Sequence, residues 1–252
     1  MKKIRVGIIG YGEIGSSVEK LYLGKNKYKV FIKDLDRDDG LSDLDFLHIC
    51  IPYTDSFVST VTEYIKENSP KNTIINSTVA PGTTKSIIEE AQSPRVAHSP
   101  VRGVHPKLYE GLKVFEKYVG VEEEIRRRGG VLFSETVRNH FNQIGVEVKI
   151  VSPAATSELA KVLSTTYYGL CIAWHGEVQR LCNEYDLDFE LVSTQWNEGY
   201  NKGYSTLGMP NVQRPTLYPP KDKIGGHCVI PNAELMRTFF TSEALDLILK
   251  YK

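Results

Sequence analysis

Neither sign of charge is in excess in this chain: 31 Lys and Arg stand against 31 Asp and Glu over 252 residues. A surface without a net field offers no general attraction to nucleic acid or to an anionic membrane, so any charged ligand must be captured by local groups. Cysteine is scarce as well. The thiols Cys50, Cys171, Cys182 and Cys228 form no C-x-x-C pair and no zinc-type spacing, which excludes a disulfide scaffold and predicts reduced thiols and no metal site. No apolar run approaches the roughly 18 residues that would span a bilayer. The start, Met1-Lys2-Lys3 followed by Ile4–Ile9, has too short an apolar part for a secretory signal and runs into Gly10-Tyr11-Gly12. A cytoplasmic chain is the expectation. The remaining composition, 41% hydrophobic and 25% charged, is ordinary globular usage at a length that fits one large or two unequal domains.

The first third of the chain alternates short β-rich runs with helical patterns, which predicts parallel βαβ units and an open, doubly wound α/β sheet. Strands are expected at residues 4–9, 28–32, 46–51, 73–76, 95–97 and 146–151, with helices over 13–23, 55–67 and after Thr83. Only residues 35–45 separate the second strand from the next, too few for a helical crossover, so this half of the sheet is expected to be pared down and its adenine pocket shallow. In residues 122–128 (EEEIRRR), Glu122, Glu123 and Glu124 each precede an Arg by four positions, the pattern of a solvated helical face, which Gly129-Gly130 ends.

Ser152-Pro153 reads as an N-cap with proline at the first helical position. Beyond it Leu159, Leu163, Leu170, Trp174, Val178, Leu181 and Tyr185 recur at helical spacing. One helix of about 48 Å over residues 154–185 is predicted, with Cys171 and Cys182 as buried structural thiols on or near its stripe. The expected domains are residues 1–151, a dinucleotide-binding sheet, and 152–252, a small helical domain that includes this long connecting helix. Within the second, Gly and Pro crowd residues 199–226, predicting an ordered functional loop. Residues 232–251 read as a terminal helix.

Gly10-Tyr11-Gly12-Glu13-Ile14-Gly15 is a G-x-G-x-x-G turn placed after a strand and opening a helix. Glycines there permit a tight turn and a close backbone approach to a pyrophosphate at the helix start. Asp34 follows at the end of the second strand, where a carboxylate accepts both ribose hydroxyls and repels a 2′-phosphate. The expected cofactor is NAD; Lys33 and Arg37 are the nearby cations that would favour NADP.

With these residues in view the chain resembles the UDP-glucose/GDP-mannose dehydrogenase family, in a truncated form without the C-terminal nucleotide-sugar-binding domain. Residues 47–53 (LHICIPY) are similar to the strand whose end, here Pro52 and Tyr53, lies beside the cofactor. Residues 76–84 (NSTVAPGTT) resemble the segment whose Ser and Thr, here Ser77 and Thr78, line the nicotinamide side. Glu110-Gly111, residues 157–161 (SELAK) and Gly225-Gly226-His227-Cys228 match three further motifs.

The resemblance implies oxidation of a primary alcohol of a sugar or sugar nucleotide to an aldehyde. Cys228 captures it as a thiohemiacetal, and a second oxidation gives a thioester that water cleaves to a carboxylate. Lys161 would stabilise negative charge on oxygen, Glu110 would position or activate water, and Lys161, Thr165, Arg214, Gly225 and Gly226 would meet the substrate. It also implies a homodimer built on the long helix. On chemistry alone, two glycines expose the Cys228 sulfur and a nearby cation would activate it, while a small buried apolar residue is an equal alternative.

The chain departs from the family at Thr165 and Asn232, where the family has Asn and Asp, and at Pro100-Val101, where it has Pro-Glu. It ends at Lys252, soon after the cysteine motif. The expected substrate is therefore smaller than a sugar nucleotide or gripped by a partner subunit, with Arg102, Arg214 and Lys221 as candidate anion holders. His227 is a candidate neighbour for the thiol; His98, His105 and His175 are expected to be structural. Two rival readings stand beside this one: a two-electron β-hydroxyacid-type dehydrogenase that uses Lys161 without a covalent step, and a catalytically inactive NAD-binding regulatory protein.

Overall fold

The computed structural model describes residues 2–122 and 132–252. The expected ion-paired face of residues 122–128 lies, from residue 123 on, together with its glycine stop outside the described residues. Two compact units divide the chain, Met1–Lys161 and Val162–Lys252.

The first unit carries β1 (Ile4–Ile9), α1 (Glu13–Lys20), β2 (Tyr28–Asp34), β3 (Arg37–Asp38), β4 (Phe46–Ile49), α2 (Phe57–Asn68), β5 (Thr73–Ile75), α3 (Thr83–Ala91) and β6 (Val96–His98). Then follow α4 (Leu108–Val114), β7 (Lys117–Gly120), α5 (Phe133–Gln143), β8 (Val148–Val151) and the start of α6 (Ala155–Glu184). The sheet among the described residues runs β3-β2-β1-β4-β5-β6-β7-β8. From β2 to β6 the pairings are parallel, β6 and β7 are antiparallel, and β7 and β8 are parallel again. Successive strand residues point to opposite faces, and both faces are covered. Val6, Ile8, Ile32 and Ile74 pack with Val18 of α1 and with Val137 and Phe141 of α5. Ile9, Leu47, Ile49 and Ile75 pack with Phe57, Val61 and Ile65 of α2 and with Ile87 of α3. Burial on both sides is why β1 and β4 are apolar at all but one position each, Arg5 and His48, rather than alternating.

The doubly wound sheet expected from the sequence is present, pared down where anticipated. After β2 the chain turns back as β3, pairing Lys33 with Asp38 and Asp34 with Arg37 antiparallel, where a longer link would have built another parallel strand. Among the described residues of this unit four elements escape the sequence reading: β3, α4, β7 and α5. Pro153 is not the first helical residue. Its carbonyl accepts the Thr156 N–H at 2.9 Å in a turn ahead of α6, which starts at Ala155.

The second unit continues α6, then a π-helical turn (Glu190–Gln195) that runs into α7 (Trp196–Thr206), a 3-10 turn (Pro210–Val212), α8 (Val229–Arg237) and α9 (Glu243–Leu249). Two expectations are corrected here. The glycine- and proline-rich stretch begins as helix, since Gly199 and Gly203 lie inside α7. The single terminal helix is two, because the chain breaks after Thr238 and Ser242 restarts it, its hydroxyl accepting the Ala244 N–H. Val162, Ala173, Val229, Ala233, Met236, Leu245 and Ile248 form the core. Gly176 lets the Tyr251 ring lie against α6, where a Cβ would come within 2.6 Å of it. Glu177 accepts from Lys250 Nζ (2.6 Å) and the Tyr251 hydroxyl (2.7 Å), and these bonds bring its carboxyl down to about 2. Cys182 is buried as expected, and none of the four cysteines forms a disulfide. Among the described residues no helix is long and apolar enough to cross a membrane.

Candidate active site

The glycine turn uses its three glycines in three ways. Gly10 has φ +87°, and a Cβ there would fall 2.6 Å from the Cys50 carbonyl oxygen, so the turn folds directly against the chain leaving β4. At Gly15 a Cβ would fall 1.9 Å from the Gly10 carbonyl oxygen, which lets α1 press on the turn. Gly12, the N-cap of α1, meets nothing within 4 Å. Open space in front of uncapped helical N–H groups is what a pyrophosphate requires. Asp34 closes the turn: its Oδ2 accepts the Tyr11 N–H at 2.6 Å and its Oδ1 the Leu35 N–H at 2.7 Å. The carboxylate is exposed at the end of β2, as a ribose partner must be. The Glu13 carboxylate meets Nδ1 of His105 from the segment between β6 and α4. These residues fit a dinucleotide.

Beside Asp34 the two cations are engaged. Arg37 makes a forked pair with Asp39, Nε to Oδ1 at 3.0 Å and Nη2 to Oδ2 at 2.8 Å, which holds the Asp39 carboxyl below its ordinary value. Lys33 lies 3.3 Å from Asp38.

Away from the turn, the carboxyl ends of β4, β5 and β6 are tied into one rim, where open α/β sheets bind ligands. Ser77 Oγ donates to the Ile51 carbonyl at 2.6 Å, next to exposed Pro52 and half-buried Tyr53. The Ser77 carbonyl accepts from His98 Nε2 at 3.1 Å, and Nδ1 of the same ring lies 2.8 Å from Ser157 Oγ. Burial, helped by the charges of Lys117 and Lys161, pushes His98 down to about 3, so the ring is neutral, with its Nδ1 facing a Ser157 hydroxyl that also donates to the Ala154 carbonyl at 2.9 Å. Glu158 is fully buried and accepts from Gly82 N–H (2.6 Å), Thr84 N–H (2.7 Å) and the Thr84 hydroxyl (2.6 Å). Desolvation raises its pKa while those three donors oppose the shift. The carboxylate thus caps α3 and clamps the start of α6 to the loop that carries Ser77 and half-buried Thr78. Lys161, three residues on, is half-buried and close enough to His98 and Lys117 for its charge to act on both. Glu110 is exposed in the first turn of α4.

Behind the rim lies a second polar cluster. Asn76 Nδ2 donates to His48 Nδ1 (3.0 Å), and the Tyr22 hydroxyl bridges Nε2 of His48 (2.7 Å) and Nε2 of His140 (2.8 Å). All four residues are buried and the histidines are held neutral by desolvation.

The second unit holds the other expected residues. Cys228 is the N-cap of α8 and half-buried; Gly225 and Gly226 before it are exposed, Gly226 with φ +87°. Asn232 is buried one turn into α8, its N–H on the Cys228 carbonyl at 3.1 Å. Arg214 stacks over the Tyr200 ring at 4.1 Å and lines an open cavity of about 500 Å³ with Trp174, His175, Ser193 and Asn197. Thr165 is half-buried on α6. Gly10–Gly15, Asp34, Pro52, Tyr53, Ser77, Thr78, Glu110 and Lys161 therefore belong to the first unit, while Cys228, Gly225, Gly226, Thr165 and Arg214 belong to the second.

The chain is similar to UDP-N-acetyl-D-mannosamine dehydrogenases. Those of Methanococcus maripaludis (strain C7) and Methanococcus vannielii are each 24% identical, over 198 residues (77% of this chain, 40% of theirs) and 195 residues (76% and 39%) respectively. The chain thus spans about two fifths of the length of these curated relatives. No protein-family profile matches it. Among solved structures, the UDP-D-ManNAc dehydrogenase of Pyrococcus horikoshii superposes with TM-score 0.71 at 17% identity, covering 98% of this chain and 69% of that one. The UDP-N-acetyl-mannosamine dehydrogenase of Staphylococcus aureus gives 0.68 at 19%, covering 97% and 66%. A 3-hydroxyisobutyrate dehydrogenase of Mycobacterium tuberculosis gives 0.66 at 14%, covering 99% and 94%. At these identities the structural likeness is one of fold, a Rossmann-like dehydrogenase fold.

Sequence reasoning missed a member of the rim that holds rather than touches. His98 is structural as expected, holding the loop of Ser77; Glu158, expected only as part of a motif, is what clamps the start of α6 to the start of α3. Among the described residues no group of three or more His, Cys, Asp or Glu is placed to hold a metal ion.

Proposed function

We propose that this chain is the cofactor-binding and linking part of an NAD-dependent oxidoreductase of the cytoplasm that oxidises the primary alcohol of a sugar nucleotide. The observation that carries the reading is the glycine turn: an open N-cap at Gly12, with Asp34 seated on the Tyr11 N–H at the ribose position. Gly10–Gly15 would hold the pyrophosphate, Asp34 the ribose hydroxyls, and Pro52, Tyr53, Ser77 and Thr78 the nicotinamide side. When bound, the nicotinamide accepts hydride from the alcohol carbon. The names of the sequence relatives make UDP-N-acetyl-D-mannosamine the first substrate to test and UDP-glucose the second.

In this reading the Lys161 ammonium stabilises charge developing on the substrate oxygen. The Cys228 sulfur adds to the aldehyde carbon, whose oxygen takes up the proton. That carbon would give a second hydride to a second oxidised NAD and its hydroxyl a proton to water, leaving a thioester; water held by Glu110 attacks it, the carbon–sulfur bond breaks, the sulfur takes up a proton of that water and the acid is released. Thr165, Arg214, Gly225 and Gly226 contact the substrate. The exposed stripe of Leu163, Tyr167, Trp174 and Leu181 on α6, with Tyr185 just beyond its end, is covered by a second copy in a homodimer.

A second reading, two-electron oxidation of a hydroxyacid with Lys161 and no covalent step, is favoured by two observations. Asn232 carries no charge beside Cys228, and the fold matches 94% of a 3-hydroxyisobutyrate dehydrogenase. Incubation with NAD and a panel of nucleotide sugars and hydroxyacids, following absorbance of the reduced cofactor, tests both. Cys228→Ser abolishes acid formation under the first reading and leaves activity under the second. Cofactor binding without turnover across the panel refutes both and leaves a regulatory NAD-binding protein.

A further inference from the structure

The hairpin of β2 and β3 forms the ribose edge of the glycine turn, and its charges are arranged in an order that the turn itself does not need. Arg37 lies 5.3 Å from the Tyr11 ring centroid, next to the residue whose N–H bonds Asp34. A guanidinium at that edge is the group that would grip a 2′-phosphate with two parallel hydrogen bonds. Its fork is already filled by both oxygens of Asp39. Asp39 is in turn held by the backbone: its Oδ2 accepts the Ile32 N–H at 2.9 Å, and its own N–H donates to the Ile32 carbonyl at 2.9 Å. Lys33 is matched in the same way by Asp38, whose Oδ1 accepts the Gly40 N–H at 2.9 Å. Exposed ion pairs contribute little to stability, and backbone bonds already close this hairpin, so the pairs are not needed to hold it. Their effect is on the field. Two cations face the four carboxylates of Asp34, Asp36, Asp38 and Asp39, and the edge stays negative toward a group that carries almost two negative charges.

We infer that Asp39, acting through Arg37, is a second determinant of cofactor choice beside Asp34, keeping the guanidinium away from a 2′-phosphate and so excluding NADP. This rests on the cofactor reading given above. Asp39 touches no cofactor in this scheme; it positions Arg37.

The test is fluorescence titration of the full chain with NADH and NADPH, in the wild type, Asp34→Ser, Asp39→Asn, Asp34→Ser/Asp39→Asn, and that double variant carrying Arg37→Met. Asparagine keeps an acceptor for the Ile32 N–H and removes only the charge; Asp39→Ser carries the same expectation if the asparagine variant does not fold. The double variant should bind NADPH about tenfold tighter than Asp34→Ser alone, the effect of one charge-assisted hydrogen bond gained. Arg37→Met should erase that gain, while Asp39→Asn leaves NADH affinity within about twofold. Equal NADPH affinity of Asp34→Ser and the double variant, or a gain that survives Arg37→Met, overturns the role of Asp39 and leaves the cofactor site standing. A folded wild type that binds neither nucleotide overturns the site and the inference together.

Discussion

Two single-methyl-scale changes in the glycine turn should separate its folding role from its binding role. At Gly15 the new Cβ of Gly15→Ala would sit 1.9 Å from the Gly10 carbonyl oxygen, a backbone atom of a tight turn that cannot swing aside. Forced overpacking costs about 1–3 kcal/mol, and the crowded atom is backbone, so the upper end applies. Alanine returns about 1 kcal/mol of helix propensity. A net loss of about 2 kcal/mol should lower Tm by roughly 4–8 °C. At Gly12 the opposite holds. Its φ is −69° and nothing lies within 4 Å, so serine fits without strain and is a better N-cap, leaving stability within about 0.5 kcal/mol of the parent. Its side chain, however, enters the space before the first N–H groups of α1. Displacing a pyrophosphate oxygen from one such donor removes about 1.5–3 kcal/mol, a tenfold to hundredfold weakening of NADH binding. Thermal melts and NADH fluorescence titrations on both variants check the pair. The reasoning is refuted if Gly12→Ser binds NADH like the wild type, or if Gly15→Ala melts unchanged.

Acid should loosen the first unit early. His98 and His140 are held near 3, and His48 also well below its ordinary value, against about 6.5 in the unfolded chain. The unfolded state therefore takes up protons that the native state refuses: stability is complete above about pH 6.5 and falls as pH drops toward 3, by about 1 kcal/mol per pH unit for each ring. Urea midpoints that stay flat between pH 7 and 5 would contradict this. Glu158→Gln places an amide NH2 against backbone donors of α3 in a fully buried position; about 2 kcal/mol should be lost, seen as a fall in Tm of roughly 4–8 °C, and a melt within 1 °C of wild type would remove the clamp from the argument. Leu181→Glu, in the exposed stripe of α6, should halve the mass measured by sedimentation velocity; a wild type that sediments as a monomer would dispose of the homodimer.

The parts of this molecule that could be read from sequence are those whose causes are local. The strand ahead of Gly10 is apolar apart from Arg5 because both its faces are covered, Gly10 and Gly15 are required by contacts within a few residues or with the adjacent strand, and Asp34 falls at a fixed distance along the βαβ unit. The long helix was legible because its apolar residues repeat over many turns. Its first residue was misplaced because a proline after serine also fits a turn, and here the turn is what forms. The β2–β3 hairpin was foreseen only as a short link, since two residues of strand leave no periodic trace. For α4 the reason is similar, with few turns and a glycine at position 111 chosen for space: a Cβ there would fall 2.7 Å from the Arg102 carbonyl oxygen. In α5 the signal was present, Phe133, Val137, His140 and Phe141 recurring on one face, but a buried histidine breaks the apolar reading.

That histidine leads to the more general point. The rim and the cluster behind it are assembled from polar residues whose partners lie far away in sequence: Tyr22 and His140 are separated by 118 positions, Glu158 and Thr84 by 74. A buried polar group must find a partner, yet the rule does not say which, and every candidate satisfies it equally until the sheet order is known. Once β1, β4, β5 and β6 are side by side, the choice collapses. Ser77 bonds the chain leaving β4 and the His98 ring, and Glu158 bonds the start of α3. The same order brings the Lys161 charge within range of His98. On this rim the ring that feels that charge is held neutral by burial, and the buried acid Glu158 is taken up by three donors at the start of α3.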